Sequence, residues 1–282
     1  MNFKEPTTME RDEIYLIDMW RILVREWKWC LAVLLLVLAG TYAFAHLVRR
    51  QWEASAWILI GQVGQVPPGQ DPKVEPIARV LERLQTAAFQ DDVTGSLGLA
   101  RDSRTAQLYR KSMKLEPLPY AGPMVRVNVR GDSPAQARQL AEATVERLRA
   151  VHRDMESTPL SLAHTRLDEV QAELKTAIAD RDRLLQAASK DEASGKGASL
   201  ASVLLAGKNE DIRNLQTQQS DLVTRLSANF TYETSLPWPV YVPERQAFPN
   251  PVLTYGIGLL AGLGLGVFAG VARNAARRHA QG

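Results

Sequence analysis

Cysteine is almost missing from this chain. Among 282 residues there is one, Cys30, inside an apolar run, so no disulfide framework within the chain is available. A dominant charge sign is missing too: Lys and Arg number 34 against 31 Asp and Glu, a formal net charge of +3. That near balance gives nucleic acid no extended basic footprint. A charged fraction of 23% beside 45% hydrophobic residues excludes both a disordered tail protein and a polytopic transporter.

Catalytic signatures are absent as well. Gly207-Lys208 is followed by Asn209 and has Ser202 where a phosphate-binding loop needs its first Gly. His46, His152, His164 and His279 share no metal-ligand spacing, and His152 and His164 are expected as solvated helix-face residues. No Ser stands in a nucleophile-elbow frame. The acidic pairs Asp91-Asp92, Asp168-Glu169 and Glu210-Asp211 sit in polar helix or turn contexts. The expectation is therefore no enzyme activity, no catalytic residues, no cofactor and no metal.

What the chain does have is two windows without charge. The first runs from Trp29 to Val48; the second lies between Arg245 and Arg273, with its apolar body at Pro251 to Ala272. Each holds about 20 residues, enough at ~1.5 Å per residue to cross a ~30 Å hydrocarbon core. A signal peptide has a shorter apolar core and a small-residue cleavage site, and it does not follow 28 structured-looking residues as the first window does. Arg273, Arg277 and Arg278 follow the second window without an acid, while Arg21, Arg25 and Lys28 precede the first. Arg49, Arg50 and Arg245 pull the other way but are outnumbered, so the positive-inside rule puts both termini in the cytoplasm. Residues from about Arg49 to Asn250 are then translocated. The excess positive charge faces the anionic cytoplasmic leaflet, which removes the remaining reason to invoke nucleic acid.

The organisation follows. Residues 1–28 form a cytoplasmic tail in which Asp12 to Lys28 reads as an amphipathic helix, with Trp20, Trp27 and Trp29 as interface anchors. The first span covers 29–48. Residues 49–158 form an α+β base with a strand at Trp52 to Ile60 and helices at Ile77 to Phe89 and Thr105 to Lys111. A second strand is expected at Met124 to Arg130, where Val125, Val127 and Val129 alternate with polar residues. Ser133-Pro134-Ala135-Gln136 then opens a helix as a capping box with Pro at the first position. It should bury Ala137, Leu140, Ala141, Val145 and Leu148 and run to about Asp154.

Residues 159–230 read as an antiparallel coiled-coil hairpin. Leu160, Ala163, Leu167, Val170, Leu174, Ala177 and Leu184 repeat at 3-4 spacing, as do Leu205, Ile212, Leu215, Leu222 and Leu226. The flexible stretch Lys190 to Ala198 lies between the two halves. Residues 231–250 return to the membrane, with Trp238, Val240 and Val242 as an edge strand and Pro243, Pro249 and Pro251 as a stiff approach to the second span, 251–272. Gly258, Gly262, Gly266 and Gly270 recur every fourth residue in that span, a face for helix packing and oligomerisation. Residues 273–282 are the cytoplasmic tail.

The juxtamembrane run from Asp12 to Lys28, the Gly131-Asp132-Ser133-Pro134 helix start, the coiled-coil insert and the proline-rich approach to a glycine-periodic span occur in this order. Together they resemble the Wzz-type chain-length determinants, or polysaccharide co-polymerases. Asn250 stands where that family often has Ser, and the external part is shorter than is common there. The resemblance implies an inner-membrane homo-oligomer, a closed ring, whose coiled coils project into the periplasm. It also implies regulation of the length of O-antigen, common antigen or exopolysaccharide chains made by a separate membrane polymerase, with the nascent lipid-linked glycan as a further partner. A second reading is an adaptor for a cytosolic tyrosine kinase, and a third is a transmembrane sensor, for which the short tail supplies no output domain.

Overall fold

The computed structural model describes residues 24–65, 71–118, 120, 122–192 and 198–281. The amphipathic helix expected at Asp12 to Lys28 thus lies outside the described residues up to position 23, as does Trp20. Contacts divide the chain into two compact units, residues 1–51 with 245–282 and residues 52–244.

In the first unit, helix α1 (Trp27–Leu47) packs along helix α7 (Pro251–Gln281). Pro251 occupies the first helical position, where a missing N–H costs nothing. Asn250 caps it: its Oδ1 accepts from the amides of Val252 (3.1 Å) and Leu253 (3.4 Å). Ser and Asn are both strong N-caps, so the substitution noted in the sequence keeps the helix start. The sides of the pair away from the contact are apolar and exposed, with Leu36 at 73%, Leu260 at 72% and Phe268 at 71%. A core helix of a water-soluble domain would bury such residues. Both helices are long and apolar enough to cross a membrane, at 21 and 23 residues.

The second unit is mostly helical around a three-stranded antiparallel sheet, ordered β1-β3-β2. Strand β1 (Trp52–Leu59) is followed by helices α2 (Ile77–Gln85), α3 (Ala87–Ser96) and α4 (Arg104–Ser112), then by strands β2 (Lys114–Leu118) and β3 (Met124–Gly131). The helix expected at Ile77 to Phe89 is two helices. Thr86 leaves helical geometry at ψ 139° and its side chain accepts from the Phe89 amide, capping α3. Strand β2 was not legible in the sequence: Lys114-Leu115-Glu116-Pro117-Leu118 is short and carries a proline. It lies at the sheet edge, where a missing donor is tolerated.

One face of the sheet supplies Ala54, Ala56, Ile58 and Ile60 together with Val125, Val127 and Val129. Against it lie Leu140, Ala141 and Leu148 of helix α5 (Pro134–Glu192), with Val80, Leu84, Val93 and Tyr109 from the three short helices. All of the α5 residues expected to be inward are buried. The helix start matches expectation with one change. The Gln136 amide donates to Ser133 Oγ, but Gln136 Oε1 accepts from the amide of Asp132 rather than of Ser133. Gly131 ends β3 because the first turn of α5 runs hard against it: a Cβ there would sit 2.6 Å from the Ala137 nitrogen. On the open face, directly paired residues satisfy each other across strands, Arg130 with Glu53, Arg126 with Glu116 and Ser55 with Asn128.

Helix α5 does not stop near Asp154. It runs unbroken to Glu192, so the boundary expected between 158 and 159 falls within one helix. Pro159 is inside it, but on the exposed side, where water can satisfy the carbonyl that loses its partner. Helix α6 (Ala198–Leu226) packs back on α5. The inward positions follow the 3-4 spacing, yet only Val170, Ala177 and Ile212 are fully buried, so the seam is thin. The return segment is not a continuous edge strand. It meets β1 at Leu59–Ser235 and Ser55–Tyr241 as isolated bridges. Pro237 and Pro239 lie between these points and have no N–H to give. Val240 joins the core, whereas Trp238 points away and meets Trp57 edge-on at 6.2 Å between ring centroids.

Candidate functional site

The glycines of the second span meet the chain's own first span. A Cβ built at Gly262 would lie 2.7 Å from Leu34 Cδ1, at Gly266 2.9 Å from the Cys30 carbonyl oxygen, and at Gly270 2.9 Å from Cys30 Sγ. At Gly258 it would lie 2.7 Å from Thr41 Cγ2. Gly256 and Gly264, outside the four-residue register, face open space. The register is therefore a seam along which two backbones approach, the route to association where lipid removes the hydrophobic driving force. Its occupant here is helix α1 of the same chain.

Both ends of the seam are tied. At one, the Gln51 amide donates to the Phe248 carbonyl (2.8 Å), and Phe44 meets Phe248 edge-on at 6.5 Å. Pro249 is buried beside it, Pro243 is half-buried in the other unit, and Pro251 opens α7. At the other end, Glu26 is buried and accepts from Arg277 (2.7 Å), with Arg273 at 3.5 Å. The Arg273 guanidinium lies 3.9 Å above the Trp29 ring. Trp27 and Trp29 are about half-exposed at the start of α1. Trp29 thus serves as a platform for a cation.

In the second unit the structure brings together residues that no local pattern singled out. His152, expected on a solvated face, is completely buried on α5, and Glu75, just before α2, is buried beside it. Glu75 accepts from Arg83 through Nη2 (2.8 Å) and Nε (3.0 Å). His152 Nε2 lies 3.3 Å from Glu75 Oε2, and its Nδ1 meets Thr234 Oγ1, which accepts from the Gly61 amide at 2.9 Å. Burial alone would raise the Glu75 pKa, but the bonds from Arg83 and His152 outweigh it and hold the carboxylate below its ordinary value. Burial pushes His152 down, with the Arg83 charge adding to it against the pull of Glu75, so the ring is neutral. An ionised Glu75 and a neutral ring fix the tautomer: Nε2–H donates to the carboxylate, and Nδ1 accepts the Thr234 hydroxyl proton.

An acid, an imidazole and a hydroxyl in line have the order of a catalytic relay. Here all three are sealed, with Glu75 and His152 at 0% exposure and Thr234 at 1%, and the hydroxyl already holds a backbone amide. Chemically the line is a strut joining α5, the end of β1, the start of α2 and the return segment. One turn further along α5, Glu156 is buried and its pKa is raised, by burial first and then by the nearby Glu233 charge. Glu233 itself is held down by its bonds to Arg149 and Arg153. His164 is exposed, and among the described residues no group of three His, Cys, Asp or Glu side chains could hold a metal ion.

A pair of apolar helices bracketing an α+β body with a long helical hairpin defines a two-span membrane-protein architecture. Residues 12–96 match the family model described as Wzz, chain length determinant protein. No curated protein matches the sequence. Among solved structures, the chain is similar to a full-length bacterial polysaccharide co-polymerase, at 13% identity and a TM-score of 0.41 over 94% of this chain and 99% of that one. It is also similar to the periplasmic domain of a chimeric lipopolysaccharide O-antigen chain length regulator, at 14% identity and 0.28 over 69% and 98%. A third is a Shigella flexneri lipopolysaccharide O-antigen chain-length regulator, at 13% and 0.22 over 70% and 99%.

Two outcomes follow from this geometry. Leu at Gly266 must displace the Cys30 backbone, whereas Leu at Gly264 enters open space. Gly266→Leu should speed maleimide labelling of Cys30 by roughly tenfold while Gly264→Leu leaves it unchanged; equal rates contradict the seam. The second outcome concerns pH. Because the folded His152 has a pKa below its ordinary 6.5, the unfolded state binds more protons as pH falls below about 6.5, and folding stability falls with it. The depressed Glu75 adds the same sign below 4.5, while the raised Glu156 opposes it. Denaturant unfolding between pH 7 and 5 should therefore show a shallower acid-side loss for His152→Gln than for wild type, and parallel slopes would refute the buried neutral ring.

Proposed function

We propose that this protein is a non-catalytic regulator of polysaccharide chain length. It is anchored by two spans in the bacterial inner membrane, with residues 52–244 in the periplasm and both termini in the cytoplasm. The observation that carries the proposal is the match of residues 12–96 to the chain-length-determinant family. The flanking charges support the orientation, since Arg273 and Arg277 continue α7 beyond the apolar stretch.

The mechanism is scaffolding by a closed homo-oligomer. The hairpin supports it: Leu162, Leu185, Val203, Leu204 and Val223 are exposed along α5 and α6 and find no cover among the described residues. Side chains of this kind on a thin two-helix seam gain by packing against neighbouring copies. The glycine seam acts beforehand, holding the two spans of each copy as a single block. An oligomer presents many copies of one surface to a membrane polymerase or to the nascent lipid-linked glycan, and effective concentration then limits how long a growing chain is retained.

Deletion in the native host followed by electrophoresis of lipopolysaccharide and exopolysaccharide tests the proposal. The expected result is loss of the modal length class with polymer still made, restored by the wild-type chain and shifted by Gly262→Leu. An unchanged ladder refutes it. An unchanged ladder with lost autophosphorylation of a cytosolic tyrosine kinase would assign the protein to kinase activation instead.

A further inference from the structure

Beside the seam, α1 and α7 leave an apolar groove of about 290 Å³, lined by Trp27, Cys30, Leu31, Leu34, Leu263 and Val267. Its end at Trp27 carries an unbalanced group of charges. Arg25, Lys28, Arg273 and Arg277 share that end with one described carboxylate, Glu26. Glu26 is taken up by the two arginines of α7, and among the described residues neither Arg25 nor Lys28 has an acidic partner. Arg273 is only partly satisfied by Glu26, whose Oε2 lies 3.5 Å from its Nε. Its guanidinium is held flat over Trp29, its buried Nε has no hydrogen-bond partner, and a third of its side chain is open. An apolar slot whose neighbouring helix turns carry four cations to one carboxylate is complementary to one amphiphile, an acyl chain with an anionic head.

We propose that this groove is a binding site for an anionic glycerophospholipid, which lays one acyl chain against Leu31, Leu34 and Leu263 and sets its phosphate on Arg273 and Lys28. The site rests on the two helices spanning a bilayer, and goes beyond any role in chain length. Its occupant is a lipid rather than a second copy of the chain, because the groove's open end is cationic, and a second copy would bring the same cations to face it.

The test uses the full chain in nanodiscs of phosphatidylcholine with or without 30% phosphatidylglycerol, that fraction being about a bacterial-like anionic content. Native mass spectrometry counts the lipids retained, and brominated lipid reports contact through quenching of Trp27 and Trp29. Wild type should retain phosphatidylglycerol over phosphatidylcholine by roughly tenfold, and Lys28→Gln with Arg273→Gln should abolish the preference. Leu31→Phe, which fills the groove from an exposed position without adding an indole, should lower quenching while leaving Glu26 and Arg277 paired. Equal retention of both lipids overturns the site, as does a preference that survives both sets of variants. Cross-linking of Cys30 between two chains would overturn it by giving the groove to a second copy. Failure of the wild type to enter nanodiscs would instead strike at the membrane-spanning assignment.

Discussion

Two helices in lipid gain nothing by hiding apolar surface from one another, so their pairing depends on how closely the backbones can approach. In this chain that approach is set by Gly258, Gly262, Gly266 and Gly270, whose missing side chains make room for Thr41, Leu34 and Cys30. Everything at the ends of the pair depends on it. Glu26 is buried between two arginines of the other helix only because the helices are in contact there, and Gln51 reaches Phe248 at the opposite end. A loosened seam would leave a buried carboxylate without its partners, which is among the costlier faults a structure can carry.

The body has its own constraint, the burial of one sheet face beneath the first turns of α5. The same helix continues far beyond the sheet and forms one arm of the hairpin. Core and arm are thus carried on one rod, a helix unbroken at Pro159. The buried line from Arg83 through Glu75 and His152 to Thr234 pins that rod to the chain segments that begin and end the body. Its Glu75, His152 and Thr234 side chains are sealed from water, so losing one partner would leave a buried polar group unpaired.

Much of this was legible in the sequence, and the reasons differ by element. The spans show as uncharged windows of membrane length, and β1 and β3 as alternating strands. The α5 start shows in Ser133-Pro134, because local chemistry dictates each of these. The hairpin's inward positions follow from 3-4 spacing, although Arg181 and Gln219 interrupt it. Strand β2 was hidden because it is five residues long, sets Leu115 on the core beside exposed Lys114, Glu116 and Pro117, and as an edge strand tolerates that proline. The break at Thr86 depends on one side chain turning back on its own helix, a choice that helical periodicity does not register. The continuity of α5 was missed because a proline usually ends a helix unless its freed carbonyl reaches water. Glu75, His152 and Thr234 are separated by tens of residues and meet only after the sheet has formed, so a lone histidine gave no warning of its burial. The glycine register, by contrast, announced close packing from the sequence, but only the fold reveals which helix fills it.

The scaffold account stands or falls on copy number. Size-exclusion chromatography with light scattering on the full chain, extracted in a mild detergent and corrected for bound detergent and lipid, measures it directly. The account predicts one discrete species at an integral multiple, several-fold, of the 31.3 kDa chain. A single 31.3 kDa chain at concentrations matching those in the membrane would contradict it.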